Sequence, residues 1–89
     1  MAIIKEVKSF ADIKVKIVTS FPDLRVYVTD RESEARGKDE IWYFDARTSR
    51  PDQKIIFVNS FEDLKIEYVK SKSQAGWKNK SHRLMMRLK

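Results

Sequence analysis

Ser9-Phe10-Ala11-Asp12-Ile13-Lys14-Val15 is followed 11 residues later by Ser20-Phe21-Pro22-Asp23-Leu24-Arg25-Val26, and 40 residues further on by Ser60-Phe61-Glu62-Asp63-Leu64-Lys65-Ile66. The three segments share one pattern: Ser, Phe, any residue, Asp, a branched aliphatic, a base, a β-branched residue. A repeated unit of this kind points to one supersecondary element used several times. Ser with an acid three positions on has the form of a capping box, so a single helical turn is expected at Ser9, Ser20 and Ser60. Pro22 suits such a first turn, where its missing N–H costs nothing. The Phe is expected to fold back as a lid over the edge of the core.

Strict alternation follows each turn. Ile13, Val15 and Ile17 oppose Lys14 and Lys16; Leu24, Val26 and Val28 oppose Arg25 and Tyr27; Leu64, Ile66 and Tyr68 oppose Lys65 and Glu67. This period of two marks half-buried strands. Connections of about four residues suit neighbouring antiparallel strands better than parallel crossovers. Outward from the repeat, Ile3–Val7, Ile41–Phe44 and Ile55–Val58 bring the strand candidates to about six. The last two are apolar throughout, as strands covered on both faces are. Asp30–Glu40 and Ala46–Gln53 read as polar loops. The segment His82–Lys89 fits a helix through Leu84 and Leu88, or a strand through Leu84, Met86 and Leu88.

The expected fold is therefore mainly β. It is a small twisted, mostly antiparallel sheet of about five or six strands with single helical turns; a short C-terminal helix would make it α+β. Residues 1–69 form the β-rich repeat domain. Residues 70–89 form a basic segment docked on it or extending from it.

Composition narrows the function classes. With 89 residues the chain has interior for one core. It has no cysteine, which removes disulfides, zinc ribbons and thiol chemistry. Its longest apolar runs are four residues, far below the ~20 that span a bilayer. Met1-Ala2-Ile3-Ile4-Lys5-Glu6 reaches charge too early for a signal peptide. A cytoplasmic protein with no membrane partner is expected. The formal charge of +6 is unevenly placed: Lys70–Lys89 holds seven bases and no acid, leaving 12 bases against 13 acids before it. A polyanion partner is to be sought in the last 20 residues.

Together, the repeat and Lys70-Ser71-Lys72-Ser73-Gln74-Ala75-Gly76-Trp77-Lys78-Asn79-Lys80-Ser81 resemble a family of small bacterial proteins of unknown function. Its members repeat strand, short turn and Ala-Asp, then close with a Lys-Ser-Gln-Ala-Gly-Trp-type segment. Ala11-Asp12 keeps the pair, while Pro22-Asp23 and Glu62-Asp63 depart from it. The resemblance spans nearly the whole chain and is most specific over Lys72–Lys80. It implies a small repeat-built fold in a bacterial or phage setting, and no activity.

The candidate ligand-binding residues lie in that segment: Lys72, Gln74, Trp77, Lys78, Asn79, Lys80 and Arg83. A base can stack on the indole while the cations neutralise phosphates, which is how single-stranded nucleic acid or a nucleotide is held. Against this, a large aromatic in a small domain is most often core, with Trp77 plugging an open end of the sheet and the lysines solvated. Pro51-Asp52 with Asp63-Leu64-Lys65 spells a nuclease-like signature, two carboxylates for Mg²⁺ and a lysine. Yet Asp12-Ile13-Lys14 and Asp23-Leu24-Arg25 show that acid-x-base belongs to the repeat. The acidic stretch Asp30–Glu40 lacks the spacing of a calcium loop. His82, the single histidine, has no acid in its own segment to orient it as a base.

No catalytic residue, metal site or cofactor is assigned. The reading is a non-enzymatic binding module for nucleic acid or a nucleotide-like ligand. A protein–protein or self-assembly module, homo-oligomeric by edge pairing of strands, and a metal-dependent nuclease are the alternatives.

Overall fold

A computed structural model describes residues 3–35, 37–82 and 84. Six strands fall on the alternating and apolar segments: β1 (Ile3–Glu6), β2 (Ile13–Ile17), β3 (Leu24–Val28), β4 (Ile41–Phe44), β5 (Gln53–Phe57) and β6 (Leu64–Val69). A two-residue strand, β7 (Gly76–Trp77), follows a 3-10 turn at Lys72–Gln74. One short α-helix, α1 (Glu32–Ala35), interrupts the polar segment between β3 and β4 that reads as loop in the sequence.

The arrangement overturns the expected antiparallel sheet. The order β4-β1-β5-β2-β6-β3 closes on itself through a β3–β4 pairing, and every pairing within this ring is parallel. The product is a six-stranded all-parallel barrel. Only β7 is antiparallel, on the first half of β3, where β4 has not yet begun: Leu24 and Arg25 face β7, Tyr27 and Val28 face β4.

Short connections and parallel strands are reconciled by stagger. Glu6 at the end of β1 and Ile13 at the start of β2 both lie opposite Ile55 of β5. Ile17 and Leu24 likewise both lie opposite Ile66 of β6. Each strand thus starts level with the end of its predecessor, one strand across. The chain need not travel back along the barrel, so the long crossover that parallel pairing ordinarily demands is not required.

Each short crossover straps one intervening strand. Residues 7–12 pass β5, leaving with Val7 N–H on Ile55 O (2.8 Å) and arriving with Asp12 N–H on Lys54 O (2.7 Å). Residues 18–23 do the same at β6, through Val18 to Ile66 and Asp23 to Lys65. Residues 58–63 do so at β2, through Val58 to Val15 and Asp63 to Lys14. The longer crossover 45–52 spans β1, through Asp45 to Ile4 and Asp52 to Ile3. The two halves of the chain are thereby interleaved.

An Asp at the end of each crossover, in three cases the Asp of the repeat, completes the strap. Oδ2 of Asp12, Asp23, Asp63 and Asp52 accepts the backbone N–H of Lys54, Lys65, Lys14 and Ile3 at 2.8–3.0 Å. In every case that residue also receives the Asp N–H on its carbonyl. The expected helical turns at Ser9, Ser20 and Ser60 are absent: the acid serves a neighbouring strand, not its own segment. Instead, Phe10, Phe21 and Phe61 each turn the chain with a left-handed backbone, at φ 56°, 52° and 59°. Nor are they lids, being 91%, 90% and 89% exposed.

The barrel interior is filled by the inward row of the strands: Ile4, Ile13, Val15, Leu24, Val26, Trp42, Ile55, Leu64 and Ile66. Trp42 donates Nε1–H to Asp39 O (2.7 Å) and meets the Phe44 ring edge-on at 6.0 Å. The expected C-terminal helix falls mostly on residues 85–89, outside the described residues.

Candidate functional site

The alternation that buries Leu24 and Leu64 turns Arg25 and Lys65 outward. Beside Arg25, the segment following β7 is drawn onto the crossover 18–23. Asp23 is the anchor: its carbonyl accepts the N–H groups of Lys78 (2.8 Å) and Asn79 (3.0 Å). Its carboxylate lies 3.5 Å from both Asn79 Nδ2 and His82 Nε2, and also holds the Lys65 N–H.

Between these parts lies a surface groove of about 510 Å³, lined by Ser20, Phe21, Pro22, Asp23, Arg25, Lys78 and Asn79. One wall comes from the repeat and the other from the basic segment. Arg25 donates Nε–H to Glu67 Oε1 at 2.9 Å, so one edge of the guanidinium is already paired. The groove therefore combines an exposed aromatic ring, two cations, the Asp23 carboxylate, a hydroxyl and an amide. That set can take a planar ring on Phe21 and a phosphate between Arg25 and Lys78.

The sequence-derived candidates separate into three groups. Lys78 and Asn79 line the groove, with Lys80 exposed beside them. Trp77 is turned the other way. It packs against the core, donates Nε1–H to Asp39 Oδ2 (2.9 Å) and stacks on His82 with centroids 5.5 Å apart. Its indole closes the seam between β3 and β4. Lys72 pairs with Glu34 and lies over the Tyr27 ring at 6.0 Å; Gln74 is exposed in the 3-10 turn. Arg83 lies outside the described residues.

His82 is held on both ring nitrogens. Nδ1 accepts the Leu84 N–H (3.1 Å), leaving Nε2 to donate to Asp63 O (3.1 Å). Glu34 is held below the ordinary carboxyl value of 4.5, first by its hydrogen bond from Lys72 and then by that from Thr29. Asp52 and Asp63, the nuclease-like pair, belong to crossovers over different strands, and a backbone N–H occupies each carboxylate. Among the described residues no group of three His, Asp or Glu side chains is placed to hold a metal.

The sequence reading missed Phe21, Arg25 and Ser20. Their signal was present in the triplicated Phe and the outward base of each copy. It pointed to structure because strand alternation alone accounts for a solvated base.

The fold is an interleaved, all-parallel barrel, and its wall carries a groove shared by the repeat and the segment after β7. Residues 1–78 match the model of the 7(1) septoil knot domain, and the chain belongs to that family. The match supports a small-domain family; the bacterial setting and the Lys-Ser-Gln-Ala-Gly-Trp signature rest on the resemblance alone. No curated protein matches the chain. None of the described helices is long and apolar enough to cross a membrane.

Proposed function

We propose that this protein is a non-enzymatic binding module whose groove takes a phosphate-bearing ligand with a planar base, a nucleotide or nucleic acid. The observation that carries this is the meeting of Lys78 and Asn79 with Phe21 and Arg25 in one groove. Cations alone make a solvated surface; an exposed ring in the same groove adds stacking, and base–aromatic stacking contributes about 1–3 kcal/mol per base. Barrel closure also weakens the case for edge-to-edge assembly. Among the described residues only β7, two residues long, keeps an unpaired strand edge.

The test is fluorescence anisotropy of a labelled nucleoside triphosphate titrated with the full chain at low and physiological salt. Binding that weakens with salt, and falls about tenfold or more in Lys78→Glu, is expected, since each lost phosphate contact removes a counterion-release contribution. Affinity unchanged by Lys78→Glu and by Phe21→Ala rules the groove out.

A further inference from the structure

Three phenylalanines are used where the fold gains nothing from them. Phe10, Phe21 and Phe61 each occupy a left-handed backbone, a region that a bulky L-residue enters only with strain and that glycine or asparagine enters readily. Each leaves about nine-tenths of its surface in water, so none is repaid by burial. A single such residue would be an oddity. Three, in equivalent places, are a surface feature kept at the expense of stability, and strain of this kind collects at functional sites.

Their placement is ordered. The rings stand on the crossovers over β5, β2 and β6, which are consecutive strands of the barrel, in the order Phe10, Phe61, Phe21. A row of bases follows the same path. The outward residue one place into each strand is Lys54 on β5, Lys14 on β2, Lys65 on β6 and Arg25 on β3. The register advances two residues per strand along this row: Ile56 lies opposite Lys14, Lys16 opposite Lys65, and Glu67 opposite Arg25. With strands about 4.8 Å apart and about 3.3 Å per residue, equivalent backbone points repeat every ~8 Å. Carboxylates share this path: Asp12, Asp23 and Asp63 accept strand N–H groups, Glu67 pairs with Arg25, and Glu62 follows Phe61 in the chain.

We infer that the Phe10–Phe61–Phe21 row, with its accompanying bases, is a track that carries a single-stranded nucleic acid around the barrel into the groove. This rests on the groove reading above and goes beyond it, from a base and its phosphate to an extended strand. Alternating rings and cations at a regular spacing match a polyanion with unstacked bases, which every ring accepts irrespective of sequence. A duplex buries its bases and offers such rings nothing.

The experiment compares labelled dTTP, a short oligo(dT) of ~3 nucleotides and a long one of ~12, lengths below and within the ~4–16 nucleotides held by comparable single-strand modules. Phe10→Ala and Phe61→Ala lie outside the groove and remove rings about nine-tenths exposed, so thermal melting should confirm an intact fold. The expected result is tenfold or greater tightening with length, lost stepwise in the two variants, while dTTP binding stays unchanged. If dTTP binds but length and both variants have no effect, the track is overturned and the groove stands. If dTTP does not bind either, both readings fall. Two further arms overturn the track alone. One is a duplex that competes as well as the single strand, which would show charge without stacking. The other is binding to anionic phosphatidylserine vesicles that Phe10→Ala abolishes while oligo(dT) binding persists, which would make the rings a lipid contact.

Discussion

The division of labour within each repeat is sharp. Asp holds the neighbouring strand, the aliphatic residue enters the barrel, and the Phe does neither. Replacing Phe10 or Phe61 by glycine removes left-handed strain of about 1–2 kcal/mol but returns about 0.5–1 kcal/mol of unfolded-chain entropy. Each substitution should therefore stabilise the fold, by up to about 1 kcal/mol, read as a rise of several degrees in Tm. A fall in stability would show that these rings carry a structural load. The aspartates behave in the opposite sense. Asp12→Ala and Asp63→Ala should each cost about 1 kcal/mol, because the strand N–H groups they release are solvent-accessible. Asp23→Ala should cost about 2 kcal/mol, since its carboxylate also faces Asn79 and His82. Urea denaturation of the three variants gives the order directly.

The segment from Lys72 to Trp77 works as a wedge. Trp77 fills the gap on β3 ahead of β4, and the Lys72–Glu34 pair ties the 3-10 turn to α1. Trp77→Ala should cost about 2–3 kcal/mol, less than a fully buried aromatic, because the indole is half-buried. The Glu34 pair makes a pH-dependent contribution whose sign follows from its lowered pKa. Stability is present above the unfolded value near 4.5 and is lost as pH falls through the lower folded value. The Tm difference between the native chain and Glu34→Gln should be seen at neutral pH and vanish in acid below that range. It will be small, as the pair is solvated.

In the barrel as a whole, every ring pairing except β3–β4 joins segments far apart in sequence; the strap bonds at Ile3 and Lys14 span 49 residues each. Such non-local pairing implies slow folding, on the order of seconds rather than milliseconds, measurable by refolding from denaturant. How much of this was readable beforehand varies with its physical origin. Strand identity follows from alternation, which depends only on which side chains enter water, so Ile13–Ile17, Leu24–Val28 and Leu64–Val69 are legible from residues alone. The repeat is legible too, and with it the presence of one structural unit used again and again. Strand direction is not, because a four- to six-residue connection reads as a tight antiparallel turn unless the stagger placing Glu6 and Ile13 opposite the same Ile55 is known. The exposure of Phe10, Phe21 and Phe61 is hidden for the same reason: an apolar residue beside a strand implies burial until the crossover holding it outside the barrel is seen. Composition likewise placed the charge in the last 20 residues, and the Trp-containing segment there named Lys78 and Asn79, which line the groove. That Trp77 turns inward while Phe21 and Arg25 face those residues is a matter of tertiary structure. The seam on β3 offers the indole burial, and the crossover beside it has none to offer the phenyl ring.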